Sequence, residues 1–455
     1  GGWSRAMAGI LPREPPVPTD NDPIALLRVP CNVTKVAVAG NRRTKRALIE
    51  AELSSSLRSK NHEELAVELA LASQRLEDLD IFKKVACEVD IDPEGEKDAV
   101  MVSVKLQEKG THTLSTGTYM QGGEGNVEVS WTMRNMLGNA EKVQSNLSVG
   151  HKTSNSFRLE GSQPLFFGSS VKMNGSIFQS VANLVKHSSF TERQRGISFG
   201  LASIPDGDGE HEISYEGAWR TVKFEKGSLV CDPSEGGDSF KSSIRHVFNH
   251  DTRDDTRVPS SGFLFRSTAE LAGIGGDVKF LKNVVDVQAH IPTDLGVIVS
   301  LVGSVGLLQS LGGTSSRIND RFFVGGPLMV RGFRTKGLGP RALGSSSSSS
   351  AKGGDAYFAA TGAITFDLPS RLMQALGVRG HVFCSTGNNV AVGGGRSVYK
   401  QIPSMISGYR AVAGAGLIIP MQIGRLELNY CRPLRTFPQL GDRLARWQIA
   451  LGLEY

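Results

Sequence analysis

A small α+β domain followed by an all-β, sixteen-stranded transmembrane barrel is the fold class this sequence predicts, on three observations. Residues 33–110 mix helical and strand periodicity, whereas from about residue 112 to the end apolar and polar residues alternate with a period of two. Glycine is abundant, 53 of 455 residues, with no G-X-Y period, as suits many strands and turns. Hydrophobic residues make up 39% and charged residues 21%, too polar for a helical membrane bundle and apolar enough to bury a core.

The expected division is a flexible N-terminal segment over 1–32, a domain over 33–110, and a barrel over 111–455 with an inserted loop at 310–354. Residues 1–22 are rich in Pro and small side chains and lack the apolar region of a secretory signal. In the first domain, residues 33–40 read as a strand ending at the turn pair Gly40-Asn41. Thr44 is placed to cap a helix through Ala47, Leu48, Ala51, Leu53 and Leu57, and Asn61 to cap a second with Leu65, Leu69, Leu76 and Leu79 as its stripe. Strands at 82–91 and 99–107 follow, joined by a turn at Asp92-Pro93-Glu94-Gly95. The order is β-α-α-β-β, and an open sheet edge on such a module can accept an extended peptide by strand addition.

Alternation then dominates. Val127, Val129, Trp131 and Met133 are expected to face lipid, with Glu128 and Arg134 facing inward. Ile213, Tyr215 and Trp219 alternate with Glu212, Ser214 and Glu216, and Leu426, Leu428 and Tyr430 with Arg425, Glu427 and Asn429. Trp131, Trp219, Phe166, Phe167 and Tyr455 stand near strand ends, as interfacial girdles require. A pair of soluble β-sandwiches would also alternate, but the aromatic residues near strand ends and a frankly charged opposite face, which suits a water-filled lumen, weigh against it. The uncharged stretch 295–316 alternates too, with Val297, Val299, Leu301, Val305 and Leu307, so it reads as strand rather than spanning helix.

No residue pattern calls for a cofactor or metal, and the chain is not expected to be an enzyme. Cys31, Cys87, Cys231, Cys384 and Cys431 are scattered and odd in number, unlike a zinc site or disulfide framework. His112, His151, His187, His211, His246, His250, His290 and His381 never pair at ligand or triad spacing. The net charge of +6 is spread without a Lys/Arg-rich run, so no nucleic-acid partner is expected.

Within the insert lies Gly325-Gly326-Pro327-Leu328-Met329-Val330-Arg331-Gly332-Phe333, followed by Arg334, Lys336 and Arg341. An apolar run ending in Arg-Gly-Phe is unusual for a solvent loop. It resembles the signature loop of the outer-membrane assembly and translocation superfamily, in which POTRA domains precede a sixteen-stranded barrel. The resemblance covers nearly the whole chain, including the β-α-α-β-β domain and the hairpin sequence at 249–262. The run from Arg334 to Arg341 and the single POTRA-like domain are similar to the family's mitochondrial branch, the barrel subunits of the sorting and assembly machinery.

The resemblance implies that the loop folds into the barrel and that Arg331 bonds an acceptor on the inner wall. Ser385 and Thr365 stand where relatives carry acidic or amide side chains, and Asp355 and Asp367 are the charged alternatives. It further implies an insertase for β-barrel precursors in the mitochondrial outer membrane, working with other subunits of an assembly complex in the lipid bilayer. The lateral seam would lie between a weak first strand, with Leu114, Gly117 and Tyr119, and a last strand with Gln448, Ala450, Leu453 and Tyr455. That last strand resembles the mitochondrial β-signal, with Ala450 where Gly is usual. A polypeptide-translocating or passive pore of the outer envelope, of the chloroplast type, is the alternative. The run Ser345–Ser350 reads as a mobile insertion.

Overall fold

A computed structural model describes residues 29–453, apart from 93–97, 122–123, 151–153, 167–169, 204–208, 226, 229–233, 314, 344–348, 393–396 and 422–423. The expected flexible segment up to residue 28, the Pro93-Glu94-Gly95 part of the turn, His151, Phe167, Cys231 and Tyr455 therefore lie outside the described residues. The chain forms two compact units.

The first unit comprises the described residues up to Thr111 together with 134–141 and Phe166. Its elements are β1 (Asn32–Ala39), α1 (Arg46–Glu52), α2 (His62–Asp78), β2 (Phe82–Ile91) and β3 (Ala99–Glu108). The sheet order is β1-β3-β2, with β1 parallel and β2 antiparallel to the central β3. One face of β3, through Val102 and Val104, packs with Leu48 and Ile49 of α1 and Leu65 and Leu76 of α2 in a single core. Asn61 caps α2 as expected, its side-chain oxygen accepting the Glu64 N–H at 2.8 Å.

Thr44 does not cap α1. That helix starts at Arg46 behind Lys45 with no side-chain cap, and it ends at Glu52 rather than reaching Leu57. The Thr44 hydroxyl is committed elsewhere: it donates to Glu108 Oε1 at 2.7 Å and accepts from Asn135 Nδ2 at 2.7 Å. Glu108 also accepts the backbone N–H groups of Arg42, Arg43 and Thr44. Burial alone would raise its pKa, but the bonds donated by Thr44 and Arg43 and the Arg43 charge hold it down at about 2.

The second unit holds a sixteen-stranded sheet running from His112–Gln121 to Trp447–Leu453, with every described neighbour antiparallel. The uncharged stretch near 300 is a strand, Val297–Ser310. Large apolar side chains such as Val127, Trp131, Ile213, Tyr215 and Trp219 are exposed on one face. On the other face Asn126, Thr132, Ser214 and Arg220 are buried. That inversion is what lipid outside and a polar lumen inside demand. Arg134, expected to face inward, sits at its strand's end and pairs instead with Asp80 at 3.1 Å.

Neighbours across strands escape a reading along the chain. His211 and His246 lie on adjacent strands, and their ring nitrogens approach to 3.2 Å, because the register sets Ile213 against His246. This contact joins two rings across strands and was not visible along the chain.

Candidate functional site

The candidate site is the long insert between strands Val297–Ser310 and Ala356–Asp367, and the inner wall it meets. Its apolar run folds because it has somewhere to bury. Val324, Val330, Phe333 and Leu338 join Phe383, Val412 and Cys431 of the wall in one hydrophobic cluster. Gly325 and Gly326 both hold positive φ, and Pro327 stands in the turn closed by the Met329 N–H on Gly326 O at 3.2 Å. Gly332 has φ +84°, and a Cβ there would stand 2.5 Å from Val412 Cγ1. Only glycine lets the backbone turn this close to the wall.

Arg331 reaches Glu427 on strand Gly424–Arg435. Its Nη2 donates at 2.8 and 3.1 Å and its Nε at 3.1 Å, a forked charge-assisted contact. Glu427 is fully buried and is further held by Asn429 Nδ2 at 3.1 Å and Arg425 Nε at 3.0 Å. The Arg331 guanidinium also lies over the Phe383 ring, 5.1 Å from its centroid.

None of the four expected acceptors is the partner. Ser385 bonds Thr361 at 2.9 Å. Thr365 is buried in its own strand opposite His381. Asp355 receives Ser316 Oγ and the Val392 N–H, and Asp367 lies 3.6 Å from Arg379. The hydroxyls lack charge, and both aspartates are already engaged. The signal for Glu427 was present in the alternation of residues 425–430, which sets it on the inner face.

The expected loop and the expected seam meet at Gln448. Its Oε1 accepts the Gly332 N–H at 2.8 Å and its Nε2 donates to Phe333 O at 2.7 Å. The loop backbone also pairs with the segment before the last strand, through Ala445 N–H to Gly332 O and Arg334 N–H to Arg443 O, both at 2.9 Å. Ala450 is buried on the same inner face. On the first strand, residues 112–117 are all exposed, Leu114 at 68%, and an added Cβ at Gly117 would meet nothing within 4 Å. The side chains of Tyr119 and Leu453 lie outside the described residues.

The sequence reading missed a second dock. Asp320, on the loop, receives Arg220 Nη1 at 2.6 Å and Nη2 at 3.3 Å, both partners being buried, while Lys282 Nζ donates to Asp320 O at 2.9 Å. The loop thus grips one wall with a cation and another with an anion. Part of the serine run is also built in. Ser349–Ala351 pairs with Arg341–Leu343, and Ser349 accepts from two arginines, so Ser349 and Ser350 are not the free insertion expected.

The Omp85 superfamily domain matches residues 135–455. The sorting and assembly machinery component 50 homolog of Mus musculus is 33% identical, over 93% of this chain and 90% of that protein. The Homo sapiens homolog of the same name is 31% identical over the same shares. The crystal structure of BamA from Haemophilus ducreyi lacking POTRA domains 1–3 has the same fold, with a TM-score of 0.73, 19% identity, and 92% of this chain and 84% of that chain covered.

Proposed function

The chain belongs to the Omp85 superfamily, alongside the sorting and assembly machinery component 50 proteins, and on that premise we propose that it inserts β-barrel precursors into the mitochondrial outer membrane through its own seam. A precursor strand entering lipid carries unpaired N–H and C=O groups, each costing several kcal/mol. A sheet edge that opens toward the bilayer keeps those groups paired while the precursor grows along it. The exchange is of paired strands for paired strands, so it requires neither nucleotide nor metal. Its partners are precursor barrels, the other subunits of an assembly complex and the bilayer.

The observation that carries this reading is the unequal anchorage of the sheet's two end strands. Gln448 binds the last strand to a loop that is itself pinned through Arg331 and Glu427. The first strand offers exposed, mostly small polar side chains and Gly117. Opening therefore releases the first strand and leaves the last in place. A passive pore is disfavoured, because the loop sets buried apolar and paired charged side chains within the lumen.

Cysteine pairs placed along 112–121 and 447–453 and oxidised in membranes test the seam. Screening pairs around Ser115→Cys with Ala450→Cys should yield one that crosslinks fully, keeps the barrel intact and stops precursor assembly. Normal assembly by a fully crosslinked protein would remove the seam from the mechanism and favour a fixed pore.

A further inference from the structure

The basic part of the loop serves neither dock. Elsewhere around the loop and the inner wall, Arg220, Arg321, Arg331 and Arg410 each meet a carboxylate, at 2.6 to 3.2 Å. Among the described residues, Arg341 and Arg443 do not. Arg341 donates to Lys336 O at 2.6 Å, to the Ser349 hydroxyl at 3.0 Å and to Ser349 O at 2.9 Å. Arg443 Nε donates to the same hydroxyl at 3.1 Å. Two guanidiniums therefore share one neutral oxygen. The nearest aspartate along the chain, Asp442, is spent on Arg410.

Both arginines border a cavity of about 350 Å³, which Lys186 and Arg334 also line, and the described residues around it include no carboxylate. Like charges gathered in a recess repel each other unless a counter-ion sits among them. Forked guanidiniums suit a ligand with several oxygens, above all a phosphate.

The remaining wall decides what carries that phosphate. The cavity touches Trp447, Gln448 and Ile449 at the start of the last strand. Gln448 points into the lumen, while Trp447 and Ile449 are 77% and 73% exposed on the outer, lipid-facing side. The cavity so borders the edge of an end strand, where that strand begins opposite Tyr430. Cations within and apolar surface without match an amphiphile. We propose that this cavity binds the phosphate of an anionic phospholipid, whose acyl chains run down Trp447 and Ile449. The site stands on the barrel alone and does not rest on the insertase reading.

Calorimetric titration of the full chain in nonionic detergent tests it, with dioctanoyl phosphatidylglycerol, dioctanoyl phosphatidylcholine and inorganic phosphate as probes. Phosphatidylglycerol should bind saturably, inorganic phosphate should compete weakly, and phosphatidylcholine should bind at least tenfold less tightly. The double variant Arg341→Gln/Arg443→Gln should weaken phosphatidylglycerol at least tenfold. Arg334→Gln removes an exposed cation whose side chain has no partner among the described residues, so it tests the site without endangering the fold, and it should weaken binding several-fold. Unchanged affinity in Arg334→Gln and in the folded double variant would overturn the proposal. So would equal binding of the two lipids, binding of inorganic phosphate without the lipid, or occupation by an acidic precursor peptide that phosphatidylglycerol cannot displace.

Discussion

The two end strands of the barrel sheet are built on opposite principles. Over residues 447–450 of Trp447–Leu453, exposure alternates sharply, with Gln448 and Ala450 buried and Trp447 and Ile449 exposed. Along His112–Gln121, residues 112–117 are exposed on both faces, and the ring contact there is His112 stacked on Trp131 of the adjacent strand, 5.8 Å between centroids. One strand is fixed by the loop and the other is held by its ladder and by the chain that leads into it. An edge meant to open needs one mobile side and one reference side, and this sheet has them in that arrangement.

The largest expected effect comes from releasing the fixed side at its root. Arg331→Ala leaves Glu427 buried and without its main partner, a loss of about 3–5 kcal/mol for a pair of this kind. Precursor assembly should fall more than tenfold and the barrel should unfold at lower temperature on semi-native gels. Arg331→Lys should recover part of each, since a point charge cannot reproduce the fork. Wild-type assembly by the Ala variant would mean that the last strand needs no such anchor.

Next is Gln448→Ala, which strands the Gly332 N–H and Phe333 C=O at about 1–3 kcal/mol each. On the other strand, Ser115→Ala should stay within about 0.5 kcal/mol. Comparable losses at the two positions would erase the contrast between the strands. Glycine gives a third comparison. Gly332→Ala puts a Cβ into Val412 at positive φ and should cost about 1–3 kcal/mol, whereas Gly117→Ala enters open space and should leave thermal stability nearly unchanged. Equal melting shifts would show that the loop is not seated against Val412.

The smallest effect on assembly is expected at Glu108, four residues before the barrel's first strand begins. Its folded pKa of about 2 lies below the usual 4.5. Its contribution is therefore complete above about 4.5 and is lost as pH falls through about 2. Pepsin cleavage within β1 and β3 of the full chain should rise across that window. Glu108→Gln should flatten this dependence and leave assembly near neutral pH only mildly reduced, and an unaltered pH profile would show that Glu108 does not hold this domain.

Sequence alternation was enough for the barrel because a strand between lipid and lumen must show both environments every two residues. Asn61 as a cap and the strand at 82–91 were equally legible, being local. What stayed hidden was pairing between residues far apart in the chain. Glu427 sits 96 positions from Arg331, and Asp320 sits 100 from Arg220. Alternation could say that Glu427 and Arg220 point inward, but only the path of the loop through the lumen could match each with its partner. Thr44 misled for a related reason, since a distant carboxylate outbid the helix end for its hydroxyl.

The two docks also impose an order on the chain's own birth. Arg220 and Asp320 can meet once the strands up to Val297–Ser310 are in place, but Arg331 must wait for Gly424–Arg435 and Gln448 for the final strand. A sheet that curled shut with its loop outside would leave Glu427 without Arg331 and Gln448 without its bonds to the loop backbone. Threading therefore precedes locking. The last strand acts as a latch that engages only over a correctly seated loop, so a barrel misassembled in this way would be the one least able to hold itself closed.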